Sequence, residues 1–148
     1  QVRSGNPVTD VILVEYQEKA HKRGIIFESS FFYPENETLD VLDVSVILNN
    51  ALENALEAAE AYKENHEQPH IRIRSYRKNN AYMIEVVNSF EGVVEMNSDT
   101  GLPVTQKQTK GHGYGLSNIR QAAEKYYGGI DIRHENDRFQ LVVMLMLA

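Results

Sequence analysis

Gly111, Gly113 and Gly115 alternate with His112 and Tyr114, then run directly into an apolar-periodic segment opening at Leu116. Alternating glycines let backbone N–H groups turn toward one point. A following helix adds the partial positive charge of its N-terminus. Together these make an anion site, most often for phosphate. Lys107 and Lys110 lie just upstream and could reach the same anion. Taken alone, such a run is as readily a flexible turn and a helix cap. It is not a Walker loop, because no Gly-Lys-Ser/Thr follows. A second signal is Asn50 and Asn54, with Glu53 and Glu57. Spacing of four puts both amides on one helix face. Asn is a poor mid-helix residue, so two of them need a reason. An amide oxygen can ligate Mg²⁺ as a neutral hard donor while phosphates and waters complete the shell. The plain alternative is a solvated polar face, which suits Glu60, Glu64 and Glu67 better than Asn54. The third signal is Asn88 to Gly92, where a strand-end Asn could present a donor and an acceptor to a pocket. Alone it reads as a turn.

Residues of these kinds act only if the chain places them. A helical pattern starts with Val8, Val11, Ile12, Val14 and Glu15 after Asn6-Pro7 and runs to about His21, with Gly24 as a C-cap. Ile25 to Phe32 reads as a strand. From a cap at Asp40 or Asp43 to about Tyr62 lies the strongest helix. Its buried stripe is Val44, Leu48, Ala51, Ala55, Ala59 and Tyr62, and Asn50, Asn54, Glu57 and Ala61 follow beside it. Two strands then alternate around Asn79-Asn80, which suits a tight turn. Residues 88–113 have no clear period and make a connection far longer than usual. Leu116, Ile119, Ala122, Ala123 and Tyr126 give a second amphipathic helix, closed by Gly128-Gly129. A last hairpin turns around Glu135-Asn136-Asp137. This order predicts an α/β (α+β) two-layer sandwich, with a mixed, mostly antiparallel sheet and helices on one face.

Composition narrows the function. The 148 residues fit one domain with a real core. There is no cysteine, which removes disulfides, thiolate metal sites and thiol nucleophiles. A net charge of −6 argues against sequence-independent nucleic-acid binding, which needs a basic footprint. The longest apolar run, Leu141 to Ala148, is too short to span a bilayer. His21, His66, His70 and His134 lack partners at metal-ligand spacing, and no Ser/His/Asp set suggests a nucleophile.

The three signals gain meaning from their order. Asn50-Ala-Leu-Glu-Asn54-Ala-Leu-Glu57-Ala resembles the N box of the GHKL (Bergerat) ATP-binding fold. Asn88-Ser-Phe-Glu-Gly92 stands where that family has its G1 box, and Gly111-His-Gly-Tyr-Gly115-Leu116 resembles the G2 box. The likeness runs from about Asn6 to the end. Gly5-Asn-Pro-Val-Thr-Asp10, the Glu-Asn-Ala-Leu-Glu-Ala run and Lys110-Gly-His-Gly-Tyr-Gly-Leu-Ser-Asn-Ile-Arg120 look most like the quorum-sensing peptide-receptor (AgrC-like) histidine kinases. The resemblance implies an ATP- and Mg²⁺-binding catalytic domain over 1–148, with an ATP lid at 93–110. It implies Mg²⁺ on Asn54, water or phosphate at Asn50, and the adenine amino group on Asn88. Phosphates would lie against Gly111, His112, Gly113, Tyr114, Gly115 and Leu116, with Glu57 and Gly92 beside the nucleotide and Lys107 or Lys110 supplying charge. The phosphoacceptor histidine and its dimerising helices would precede Gln1, in the cytoplasmic part of a membrane-anchored bacterial sensor kinase. A response regulator would be the partner, with no nucleic-acid or membrane contact by this segment. Departures from the pattern are Asn88 in place of the usual Asp and Glu57 in place of a basic residue. A GHKL ATPase, an anti-sigma-factor-type serine kinase and a nucleotide-dead interaction module are the alternatives. Asn50 stands where the ATPases carry a general-base Glu, which disfavours hydrolysis.

Overall fold

The computed structural model describes residues 3–36, 38–104 and 115–147. Among them, three helices and five strands follow in order: α1 (Pro7–Lys22), β1 (Ile26–Ser30), α2 (Val41–Lys63), β2 (His70–Lys78), β3 (Ala81–Ser89), α3 (Gly115–Glu124), β4 (Gly129–Glu135) and β5 (Arg138–Met146). The sheet order is β1-β2-β3-β5-β4. β1 runs parallel to β2, and every other neighbour is antiparallel. The expected mixed, mostly antiparallel sandwich is thus what the chain forms.

Alternation in the strands decides which face is covered. Ile71 and Ile73 of β2, Tyr82, Ile84 and Val86 of β3, and Leu141, Val143 and Leu145 of β5 form one buried row set. They meet Ile47, Leu48, Leu52 and Leu56 of α2 and Ile119 and Ala123 of α3 in a single core. Each Val, Leu or Ile among them contributes about 1.5–3 kcal/mol by leaving water. Arg72, Arg74 and Tyr76 point to the other, open face.

The helices start and stop where local chemistry tells them to. Asn6 caps α1, its side-chain oxygen accepting from Val8 N–H at 2.8 Å and Thr9 N–H at 3.2 Å, with Pro7 at the first position. Gly24 follows that helix at φ +71°, a left-handed turn that glycine adopts without strain. Asp40 caps α2 by accepting from Leu42 N–H at 2.9 Å. Both hairpin turns use an Asn in the left-handed region, Asn79 at φ 58° and Asn136 at φ 54°.

Two local features go beyond what the sequence pattern states. In α1 the buried face is Thr9, Ile12, Leu13, Tyr16 and Ala20, whereas Val8, Val11 and Val14 are exposed, Val11 by 68%. The valines are spaced for a helix, but Tyr16 fixes the rotation, because its hydroxyl donates to Asn49 O and Glu53 Oε1 of α2. The long connection after β3 is also less irregular than its sequence suggests. Met96 bridges Pro103, Asn97 N–H donates to Leu102 O at 2.7 Å, and Leu102 is 9% exposed.

Candidate functional site

The long helix brings its two amides to the start of α3. A Cβ built on Gly115 would lie 3.0 Å from Asn54 Nδ2, 3.2 Å from Asn54 Oδ1 and 3.5 Å from Asn50 Oδ1. Both Asn side chains therefore crowd one glycine, and nothing larger fits without displacing Asn54. Asn50 Nδ2 donates to Val46 O at 2.8 Å, one turn back. One amide hydrogen is thus held by the helix, and Oδ1 is the atom that lies toward Gly115. Glu57 lies three residues beyond Asn54 on the same helix, half-buried. Leu116, next to Gly115, packs against the core.

Asn88 sits at the end of β3 on the covered face, opposite Ile71 of β2 and Phe139 of β5. It is 4% exposed, and its Nδ2 donates to Ser89 O at 2.9 Å. A neutral amide at such a buried position costs less than a carboxylate. One Nδ2 hydrogen is engaged there, which orients the amide and its acceptor Oδ1. A depression of about 460 Å³ reaches Asn88 and Ser89 from the end of the sheet, lined also by Glu28, Arg72, Val87 and Arg138, and another of about 420 Å³ lies away on α1 around Gln17 and His21. Gly92 has φ +117°, a region closed to other residues without strain, and so redirects the chain just past the strand.

Of the residues singled out in sequence, the fold gathers Asn50, Asn54 and Gly115, sets Glu57 and Leu116 beside them, and places Asn88 and Gly92 at the end of β3. Lys107, Lys110, Gly111, His112, Gly113 and Tyr114 lie outside the described residues.

Several contacts were not foreseen. Arg120 of α3 donates to Thr100 O, fastening the turn after β3 to the helix that opens at Gly115. Tyr126 donates to Asp43 Oδ2 at 2.5 Å and accepts from Asp40 N–H at 3.0 Å, tying the end of α3 to the start of α2. Burial, then the bond to Asp43, pushes the Tyr126 hydroxyl up to about 12. Gly128 has no room for a side chain, since a Cβ there would fall 1.7 Å from Met144 O. An Arg spaced five residues from a helix-opening Gly, and an acid at a helix start, are signals too common to read unaided.

A family model for the GHKL domain matches residues 39–146, and the chain belongs to that family. Among solved structures it is similar to the nucleotide-free catalytic domain of histidine kinase ThkA, at 24% identity and TM-score 0.72, covering 98% of this chain and 93% of that one. It is also similar to the Acinetobacter baumannii histidine kinase AdeS, at 11% identity and TM-score 0.68, covering 95% of this chain and 63% of that one. At these identities the likeness is one of fold. No curated protein matches the chain significantly.

Proposed function

We propose that the chain is the ATP-binding catalytic domain of a sensor histidine kinase, spanning residues 1–148 with an ATP lid at 93–110. The observation that carries this reading is the meeting of Asn50 and Asn54 at Gly115, within a fold like that of histidine kinase catalytic domains. It joins the helix of the first motif to the glycine that ends the last one.

The donor set suits a metal that arrives with its nucleotide. Among the described residues no three His, Asp or Glu side chains gather as a metal site. A divalent ion here would rest on the neutral oxygen of Asn54, leaving its other positions to phosphate and water, as Mg²⁺ prefers. Bound there, Mg²⁺ neutralises phosphate charge during transfer. Asn54 holds it, and Asn50 offers an oxygen to a water beside it. Gly111 to Gly115 and the first turn of α3 supply backbone donors, with Lys107 and Lys110 as the positive charges of the set. Asn88 accepts from the adenine amino group through Oδ1, its orientation supported by the bond to Ser89 O.

Asn50 cannot take a proton from water. The domain is therefore suited to orient the γ-phosphate for another acceptor rather than to hydrolyse it. That acceptor is a histidine on an upstream dimerising domain, in a membrane-anchored sensor of the quorum-sensing peptide-receptor type, with a response regulator next in line. No helix among the described residues is long and apolar enough to cross a membrane. The test is to supply the chain with Mg-ATP and its own upstream helical region. Acid-labile phosphate on a histidine is the expected product. Rapid release of inorganic phosphate, or acid-stable phosphoserine, would transfer the chain to the ATPase or serine-kinase branch.

A further inference from the structure

Just beyond α2, two consecutive side chains grip one carboxylate. Asn65 Nδ2 donates to Glu91 Oε1 at 3.0 Å, and His66 Nε2 lies 3.2 Å from Glu91 Oε2. The His66 ring is itself stacked on Tyr62, with centroids 4.2 Å apart and planes at 16°. Glu91 stands between Asn88, next to last in β3, and Gly92, where the chain changes direction. On the other side of the same turn, Phe90 N–H donates to Asp137 O at 2.8 Å, and its ring packs on His134 and Phe139. The segment after Asn88 is thus held from two directions, by the β4–β5 turn through Phe90 and by the end of α2 through Glu91.

We infer that Asn65, His66 and Glu91 are positioning residues for the purine end of the nucleotide site, coupling the helix that bears Asn50 and Asn54 to the turn that follows Asn88. This rests on the nucleotide reading given above. The argument is one of preorganisation. The turn is exposed at Glu91 and Gly92 and has little apolar area of its own to order it. A turn already fixed before binding spares the ligand that ordering entropy. A lone exposed ion pair contributes little. Here a neutral donor and an imidazole divide the two oxygens, and a stacked ring restricts the imidazole, so several small terms act on one side chain. The bonds from Asn65 and His66 also hold the Glu91 carboxyl below its ordinary range.

The role predicts a split between ligands that have a base and ligands that do not. Glu91→Ala should weaken Mg-ATP binding to the full chain about three- to tenfold, the scale of two lost side-chain bonds. Binding of Mg-tripolyphosphate, which lacks the base, should stay as in the unchanged protein. Glu91→Gln keeps an acceptor oxygen for Asn65 and should restore most of the lost affinity. His66→Ala should fall between the two. Equal losses for ATP and tripolyphosphate, or no loss in Glu91→Ala, would overturn the inference. Failure of the unchanged, folded chain to bind ATP at all would overturn the nucleotide reading, and the coupling with it.

Discussion

Asn54 and Asn88 are both amides in different surroundings. Asn54 crowds Gly115, whereas Asn88 is buried and gives an amide hydrogen to Ser89 O; on the proposed reading the first holds Mg²⁺ and the second the base. Asn54→Ala should therefore weaken Mg-ATP about tenfold while changing metal-free nucleotide little. Asn88→Ala should weaken both alike, and calorimetric titrations with Mg²⁺ and with EDTA separate the two. The reverse pattern would mean that the roles are exchanged. Gly128 gives a prediction about stability alone. With Met144 O 1.7 Å from any Cβ, Gly128→Ala must move β5 or the end of α3. It should destabilise the domain by at least about 3 kcal/mol, read by denaturant unfolding. The two cases differ in how far sequence reveals them. Two Asn at a spacing of four announce themselves, because mid-helix Asn has a cost. Gly128 looks like an ordinary helix terminator, and the demand on it comes from a strand that follows only later in the chain.

The elements are joined at points that carry few side chains. Tyr126 spans from α3 to the cap of α2 through Asp43 and Asp40. Tyr126→Phe should cost about 1–2 kcal/mol in thermal or denaturant unfolding, since two partners lose a part-buried bond. The raised hydroxyl also sets a pH window. The tether contributes fully below about 10, the ordinary tyrosine value, and is lost as pH rises through about 12. Arg120→Ala should release the turn around Thr100 from α3 and speed hydrogen exchange at the Gly101 and Val104 amides, which are bonded to Asn97 O and Glu95 O. Unchanged exchange there would show that Leu102 alone holds the turn. Strand alternation and helix periodicity made the sheet and α2 legible in advance, since one covered face sorts apolar from polar residues at a fixed period. The rotation of α1 was not legible. Valines at helical spacing announce a helix without saying which side turns inward, and in the fold Ile12, Leu13, Tyr16 and Ala20 face the core, with Tyr16 also bonded to α2. The short pairing between Met96 and Pro103 has no alternation by which the sequence could show it.

At the scale of the whole molecule, the sheet leaves one face open, and Glu85 sits in the middle of it at 4% exposure. Arg74 and Gln140 from the two neighbouring strands both donate to it. Burial alone would raise this carboxyl, but those bonds, with the charges of Arg74 and Arg72, outweigh it and hold it below its ordinary value. A carboxyl depressed in the folded state adds stability above its unfolded value, and that stability drains away as pH falls through the folded one. Glu85→Gln should therefore lower stability at neutral pH by about 1–3 kcal/mol and flatten the acid limb of the stability profile, measured by denaturant unfolding at several pH values. The parallel pairing of β1 with β2 has a different bearing, on the order of assembly. β2–β3 and β4–β5 are neighbours across two-residue turns and can zip locally within microseconds. β1 cannot, because Ile26 meets His70 only after α2 has crossed the sheet between them. Its registry must wait for a long loop to close. The strand nearest the chain start is then the last to join the sheet and the first to leave it, and in a refolding experiment its amides should gain protection after those of β3 and β5.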